Sequence, residues 1–198
     1  TKSHLKSSGM RSDLKIGIIG GSGMEDPGFI SDSKSKDVST PYGDPSSQLI
    51  LGSIADVPIV ILSRHGPGHS INPTNVNYRA NISALKEEGC THILAATACG
   101  SLRERIAPGH FVFPDQFIDR TTKRITTFFD GSDVRHVSMG EPFSAGMRSC
   151  LVEACKSQGF EHHNGGTVVT IEGPRFSTKA ESMMFRSWGC DIINMSTV

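Results

Sequence analysis

Three short segments of the chain have residue types that could bind an anion. They lie at Gly20–Gly23, Arg64–Gly66 and Thr97–Ser101, and each follows an apolar run, as expected where buried parallel strands leave a sheet. Glycine and serine let main-chain N–H groups approach an oxyanion, and arginine presents a fork of donors that matches phosphate. The three segments together predict one phosphate pocket, in which phosphate is a substrate or a nucleophile.

The glycine-rich turn alone admits three interpretations. A dinucleotide fingerprint requires G-x-G-x-x-G at the start of a helix, with an acidic residue about twenty positions later. The spacing here differs, and Met24–Gly28 is a poor helix start, so a nicotinamide cofactor is not expected. A plain tight turn and an anion-binding turn with Ser22 as an extra donor both remain. A Walker loop is excluded, because no Gly-Lys-Ser/Thr follows the glycines.

Two later segments have the composition of binding loops. Arg64–His69 combines an arginine with two histidines and two glycines, whereas Glu172–Ser177 follows an apolar run and precedes a capped helix. His65 and His69 are four residues apart, but the proline and glycines between them exclude the helix that would present both to a metal. No metal site is therefore expected. Phe176 could stack on an aromatic base or pack in the core.

Composition limits the class of protein. The 198 residues suffice for one domain with a substantial core. Lys+Arg and Asp+Glu are both 20, and this balance argues against a nucleic-acid partner. No apolar run approaches the length of a membrane span. Residues 1–14 are polar and are expected to form a flexible arm before a domain over 15–198. Five cysteines without a CxxC pair predict reduced, mostly buried thiols in a cytosolic protein.

Apolar runs alternate with helical patterns along the chain, which predicts an α/β fold. The early strands follow one another without helices, so we expect a single domain with a central mixed β-sheet flanked by helices. Ser144 and Thr178 are predicted N-caps, the latter in a capping box with Glu181. Strands are predicted at Lys15–Gly20, Gln48–Ile54, Pro58–Ser63, His92–Ala96, Phe111–Pro114, Thr167–Ile171 and Asp191–Asn194, and helices at Asn75–Glu88, Ser144–Gln158 and Thr178–Trp188.

The order of these segments resembles the purine nucleoside phosphorylase superfamily, and its methylthioadenosine branch more than its inosine and guanosine branch. The resemblance runs from Lys15 to the last residue. It implies a nucleoside phosphorylase-like fold and a homotrimer in the cytoplasm, with the nucleus as an alternative. The matching segments are Lys15–Gly23, Ser63–Gly66, Asn77–Ile82, Thr97–Leu102, Asp115–Thr121, Thr170–Ser177 and Ile193–Val198.

The resemblance also implies a reaction of purine and methionine salvage, catalysed by a pentosyltransferase. Inorganic phosphate attacks the anomeric carbon of 5'-methylthioadenosine, adenine leaves, and 5-methylthioribose 1-phosphate forms, with no cofactor. The implied phosphate-binding residues are Ser22, Arg64, His65, Thr97, Ala98 and Ser196. The implied nucleoside-binding residues are Ala98, Phe176, Ser177, Ile193, Asn194, Met195 and His136. Among them, Phe176 would pack on the base, Met195 under the ribose, and His136 beside the methylthio group.

The chain departs from the family pattern at its end. In the family an aspartate on a later strand donates to the leaving purine, and the present sequence stops at Val198 before that strand. The resemblance therefore implies that the C-terminal part of the fold is absent from this chain, and it leaves the purine-protonating residue unknown. Two alternatives stay open: a purine nucleoside phosphorylase for inosine and guanosine, and an inactive fragment that binds ligand.

Overall fold

The structure, a computed structural model, describes residues 13–21 and 30–198. The chain divides into two compact units, Thr1–Ala96 and Thr97–Val198. Most of the predicted arm over residues 1–14 lies outside the described residues, as does Ser22. Within the described ranges no helix is long and apolar enough to cross a membrane.

The first unit contains a five-stranded mixed sheet in the order β2-β3-β4-β1-β5. Strand β1 pairs in parallel with β4 and β5, whereas β3 runs antiparallel to both β2 and β4. Ala55 and Asp56 join β3 to β4 with positive φ angles of 48° and 65°, a backbone shape that suits the twist of a two-residue hairpin. The elements are β1 (Ile16–Gly20), β2 (Ser31–Lys36), β3 (Leu49–Ile54), β4 (Val57–Ser63), α1 (Tyr78–Glu87) and β5 (His92–Ala95).

Helix α1 covers one face of this sheet. Its Ala84 and Leu85 pack on Ile19 of β1 and on Val60 and Leu62 of β4. Burial of these apolar side chains is the main stabilising contribution of the unit. Because β4, β1 and β5 are parallel neighbours, their carboxyl ends lie side by side at one edge of the sheet.

The second unit contains a four-stranded sheet in the order β6-β11-β10-β8 and a separate parallel pair, β7-β9. Strands β8, β10 and β11 are parallel, and β6 is antiparallel to β11. Leu102, Val169, Phe185 and Cys190 form one of its core clusters. The elements are β6 (Gly100–Ser101), β7 (Phe111–Phe113), β8 (Gln116–Arg120), α2 (Ala145–Gln158), β9 (His162–Asn164), β10 (Thr167–Ile171), α3 (Lys179–Ser187) and β11 (Ile192–Asn194).

The predicted mixed α/β class is confirmed, and each predicted strand and helix is present. The described strands are distributed among three sheets, which apolar patterning cannot assign, since pairing depends on residues distant in sequence. Strands β2, β6, β8 and β9 were not predicted. Strand β2 is exposed throughout and has no apolar period, and the other three are runs of two, five and three residues without a long apolar pattern. The expectation of mostly buried thiols is wrong for Cys99 and Cys150, which are exposed.

Helix α3 begins with the predicted capping box. The Thr178 hydroxyl accepts from the Glu181 amide at 3.1 Å, and the Glu181 carboxylate accepts from the Thr178 amide at 2.7 Å. Arg175 donates to both carboxylate oxygens of Glu181 at 2.8 Å. The hydrogen bonds from Arg175 and from the Thr178 amide lower the pKa of Glu181 from 4.5 to about 2.

This shift predicts an acid-sensitive contribution to stability. Because the pKa of Glu181 is lower in the folded than in the unfolded chain, its contribution is complete above pH 4.5 and disappears as the pH falls toward about 2. Glu181→Gln should flatten the pH dependence of the free energy of unfolding in that window. Urea unfolding at a series of pH values measures it, and superimposable profiles of the two proteins would contradict the assignment.

Candidate active site

Arg64 lies at the carboxyl end of β4 and is 3% exposed. Its main-chain N–H donates to the Gly20 carbonyl at 3.0 Å, which joins the ends of β4 and β1. Its guanidinium Nη1 donates to the Ala96 carbonyl at 3.2 Å, just beyond β5. The side chain therefore lies where three parallel strands end, the usual place for a ligand in such sheets.

The charge of Arg64 has no carboxylate partner among residues 13–21 and 30–198; its side-chain bonds run to Ala96 and His65. Burial lowers the pKa of this guanidinium, and the charge of Tyr78 opposes that shift only in part. An arginine nevertheless stays protonated in a protein. Because a buried cation without a carboxylate partner in the described ranges costs several kcal/mol, an anionic ligand is the simplest reason for its presence.

A second buried guanidinium, that of Arg124, provides the contrast. Its side chain is 2% exposed, and its Nε lies 3.1 Å from Oε2 of Glu172. A carboxylate within the chain thus neutralises Arg124, whereas the part of the chain that the structure describes offers none to Arg64. Charge balance therefore makes Arg64, rather than Arg124, the candidate for binding an anion.

The His65 ring fixes the orientation of Arg64. Its Nδ1 lies 2.8 Å from the Ile71 carbonyl, so Nδ1 carries the proton, and Nε2 is left to accept from Arg64 Nε at 3.5 Å. The ring stacks on His69 with centroids 4.2 Å apart. Burial lowers the pKa of His65; the Ile71 bond opposes this, and the charges of Arg64 and His69 add to it. Neutral His65 can thus hold the guanidinium in place.

Gly21 permits the close approach of Arg64 to the main chain. A Cβ built on Gly21 would lie 2.5 Å from Nη2 of Arg64 and 3.5 Å from the Ala96 oxygen. A side chain at this position would therefore push the guanidinium out of its place. The predicted glycine-rich turn thus contributes to the site through Gly21, while Ser22 lies outside the described residues.

Gly21→Ala is expected to raise the KM for phosphate roughly tenfold, because a small displacement of a binding group has a large effect on a reaction that depends on positioning. Steady-state kinetics at varied phosphate measures the change. Gly146→Ala is a suitable control, since the nearest atom to its added Cβ is the Ser144 hydroxyl at 4.0 Å. Unchanged phosphate kinetics in Gly21→Ala would show that Arg64 does not depend on this close approach.

In the second unit, pairing of β6 with β11 brings two predicted phosphate ligands together. The hydroxyls of Thr97, which precedes β6, and of Ser196, which follows β11, lie 3.0 Å apart. They are 99 positions apart in the sequence. The next residue, Ala98, is exposed and accepts a hydrogen bond from the Thr97 hydroxyl at 3.2 Å. Each hydroxyl has a single O–H, and both are used within the protein here, so the two can donate to one oxyanion when they give up these bonds.

The predicted nucleoside-binding residues of β11 differ in what their side chains can do. Asn194 is buried; its Oδ1 accepts from the Thr170 hydroxyl at 3.0 Å, and its Nδ2 donates to the Thr197 hydroxyl at 2.6 Å. Ile193 packs on the core cluster of this unit. Both side chains hold the end of β11 in place, so any contact of Asn194 with a nucleoside would have to come from its main chain.

The loop before α3 contains the predicted base-binding residues. Phe176 is 85% exposed, so the alternative that it packs in the core is wrong. The Ser177 hydroxyl lies 2.8 Å from that of Ser182. Met195 packs on the same loop, because a Cβ on Gly173 would lie 2.5 Å from its Sδ. His136 is exposed in the segment between β8 and α2. The exposed aromatic ring of Phe176 is suited to stack on a planar base.

Arg124 was missed by sequence reasoning, because a basic residue in a polar run predicts a solvated surface. No local signal shows that its partner is Glu172, which is 48 positions away. As for metals, the residues that the structure describes contain no group of three or more His, Cys, Asp or Glu side chains that could hold an ion.

Comparison with known proteins matches this chain to phosphorylases. The family model of the phosphorylase superfamily matches residues 15–198. The S-methyl-5'-thioadenosine phosphorylase of Danio rerio is 59% identical over 192 residues, covering 94% of this chain and 69% of that protein. The enzyme of the same name from Xenopus tropicalis is 59% identical over 191 residues, covering 93% and 68%.

A solved structure agrees with these relatives. Methylthioadenosine phosphorylase from Schistosoma mansoni in complex with adenine matches with a TM-score of 0.89 and 44% identity, covering 93% of this chain and 74% of that one. The chain therefore belongs to the phosphorylase superfamily and, within it, to the group of S-methyl-5'-thioadenosine phosphorylases.

Proposed function

We propose that this protein cleaves the N-glycosidic bond of 5'-methylthioadenosine with inorganic phosphate, giving adenine and 5-methylthioribose 1-phosphate for purine and methionine salvage. The observation that carries the proposal is the buried guanidinium of Arg64, which has no carboxylate partner in the described chain. Its charge and position suit a phosphate oxyanion. The names of the relatives from Danio rerio and Xenopus tropicalis support the nucleoside.

The mechanism follows from the charge that develops during cleavage. Breaking a glycosidic bond gives an oxocarbenium-like transition state. A phosphate dianion held by Arg64 is both the nucleophile and the countercharge to this cation. Holding it in line converts a bimolecular attack into an effectively unimolecular one, which can supply several kcal/mol. Thr97 and Ser196 are proposed as further donors to phosphate, and Phe176 as the ring that stacks on the purine.

A product assay tests the proposal. Methylthioadenosine, inosine and adenosine are each incubated with and without phosphate, using this chain and a chain extended to the length of its relatives. Adenine release from methylthioadenosine only with phosphate supports the proposal. Release without phosphate would identify a nucleosidase, and preferred cleavage of inosine would place the activity in the other branch. Phosphate binding without turnover by either chain would identify a ligand-binding protein.

We further propose a homotrimer in the cytoplasm, with inorganic phosphate as co-substrate and no cofactor. This proposal extends the resemblance of the sequence to its family. Sedimentation equilibrium tests the assembly: a mass three times the 21.3 kDa of the chain supports the trimer, and a monomer mass would overturn it.

A further inference from the structure

The Arg124 side chain donates hydrogen bonds to main-chain oxygens on both sides of Ser196. Its Nη2 donates to the Met195 carbonyl and its Nη1 to the main-chain oxygen of Val198, both at 2.5 Å. A further bond runs from Nη2 to the Glu172 carbonyl at 3.2 Å. The planar guanidinium can make these bonds together because its donors have a fixed fork geometry.

The bond to Met195 determines the direction of the next amide. The Met195 carbonyl and the Ser196 N–H belong to one planar trans peptide and point in opposite directions. With the oxygen held by Arg124, the N–H of Ser196 points away from the guanidinium. A charged donor on the carbonyl also polarises the peptide, which strengthens the N–H as a donor.

Glu172 keeps Arg124 from acting as an anion ligand itself. One carboxylate oxygen accepts from Arg124 Nε at 3.1 Å, and the other accepts from the amides of Thr122 and Lys123 at 2.9 and 2.6 Å. The cation is thus neutralised and anchored to a loop. An arginine in such a setting orients other groups rather than binding a ligand through its charge.

We infer that Arg124, anchored by Glu172, is a positioning residue that presents the amide and hydroxyl of Ser196 to phosphate. This inference rests on the proposed function and adds a residue to it. Ser196 contributes two donors beside the hydroxyl of Thr97, which lies 3.0 Å from its own. Loss of Arg124 lets the Met195–Val198 segment rotate, so both donors lose their direction at once.

Arg124→Lys tests the inference, because lysine keeps the charge but cannot bond to Glu172, Met195 and Val198 in one plane. The KM for phosphate should rise roughly tenfold, as expected when oriented donors are misplaced, and by more than the KM for the nucleoside, whose ribose is expected to contact Met195 of the same segment. Guanidinium added to Arg124→Ala should restore part of the phosphate affinity. Arg186→Lys is the matched control, since Arg186 also donates to a carbonyl, that of Leu102 at 2.5 Å, and pairs with Glu104 at 3.0 Å.

Two outcomes separate this inference from the proposed function. A wild-type protein that releases no adenine with phosphate overturns the proposed function. An active wild type whose Arg124→Lys variant keeps the same KM for phosphate overturns the role of Arg124. Equal increases in both KM values, or an equal effect of Arg186→Lys, would identify a merely structural residue.

A measurement on the unaltered protein avoids variants that fail to fold. In a titration with inorganic phosphate followed by NMR, the amide resonance of Ser196 should shift strongly. The side-chain N–H resonances of Arg124 should stay in place and exchange slowly throughout, because their acceptors are protein oxygens. A Ser196 amide that does not respond to bound phosphate, or an Arg124 that responds as a ligand, would overturn the inference.

Discussion

Arg64→Met is expected to lower kcat/KM for phosphate about a hundredfold or more, the size of effect seen when a preorganised charged donor is removed. The same change should leave the free energy of unfolding unchanged or raise it by about 1 kcal/mol, because an apolar side chain replaces a buried cation without a carboxylate partner in the described chain. Loss of activity together with gain of stability is the pattern of a residue kept for its ligand.

Steady-state kinetics at varied phosphate concentration measures kcat/KM, and urea unfolding measures the free energy of unfolding. Phosphate is expected to raise the Tm of the wild type, and this rise should disappear in Arg64→Met, since a ligand stabilises only the protein that binds it. Arg64→Lys keeps the charge but loses the fork of donors, so its activity should lie between that of the wild type and that of Arg64→Met. Normal turnover in Arg64→Met would remove the residue from the mechanism, and a large loss of stability would show that its role is structural.

Asp191→Ala is expected to destabilise the second unit by about 2 kcal/mol, because it removes a buried carboxylate that accepts from a main-chain N–H and that pairs with two partly exposed arginines. One oxygen of this carboxylate accepts from Arg105 at 2.6 Å and from Arg103 at 3.3 Å, and the other accepts from the Thr167 amide at 3.0 Å. Its loss leaves the first amide of β10 without this acceptor and two arginines without their carboxylate. Burial acts to raise the pKa of Asp191, but the bonds from Thr167 and Arg105 outweigh it, and the pKa is lowered.

Urea unfolding of Asp191→Ala measures this effect. Asp191→Asn should be intermediate, because its amide oxygen can still accept from Thr167. Asp133→Ala is the control; Asp133 pairs with Arg135 at 2.8 Å, but both side chains are more than half exposed, so little change is expected. Because the pKa of Asp191 is lowered on folding, its contribution is present above pH 3.8 and is lost as the pH falls below that value. A control as destabilised as Asp191→Ala would contradict the assignment.

Local signals in the sequence were sufficient for the three α-helices and for seven of the eleven described strands. Runs of apolar residues identified β4 and β10, and capping residues identified the starts of α2 and α3. Both signals can be recognised within a few consecutive residues. The capping box of Thr178 and Glu181 is an example, since both bonds form within one turn. The edge strand β2 was missed because no side chain in its polar run needs burial, and the short strands β6, β8 and β9 were missed because each is defined by pairing with a strand distant in sequence.

The sequence by itself determined the α/β class, the three α-helices, most of the strands and the candidates for an anion site, since these depend on residue type and short-range spacing. Only the tertiary structure decided which candidate residues come together and which charged side chains are paired within the protein. Arg64 and Arg124 are the same residue type. In the folded chain Arg124 pairs with Glu172, whereas Arg64 has no carboxylate partner in the described chain. The pairing of strands distant in sequence sets the distances between charges, and those distances distinguish the arginine proposed to bind phosphate from the one inferred to position Ser196.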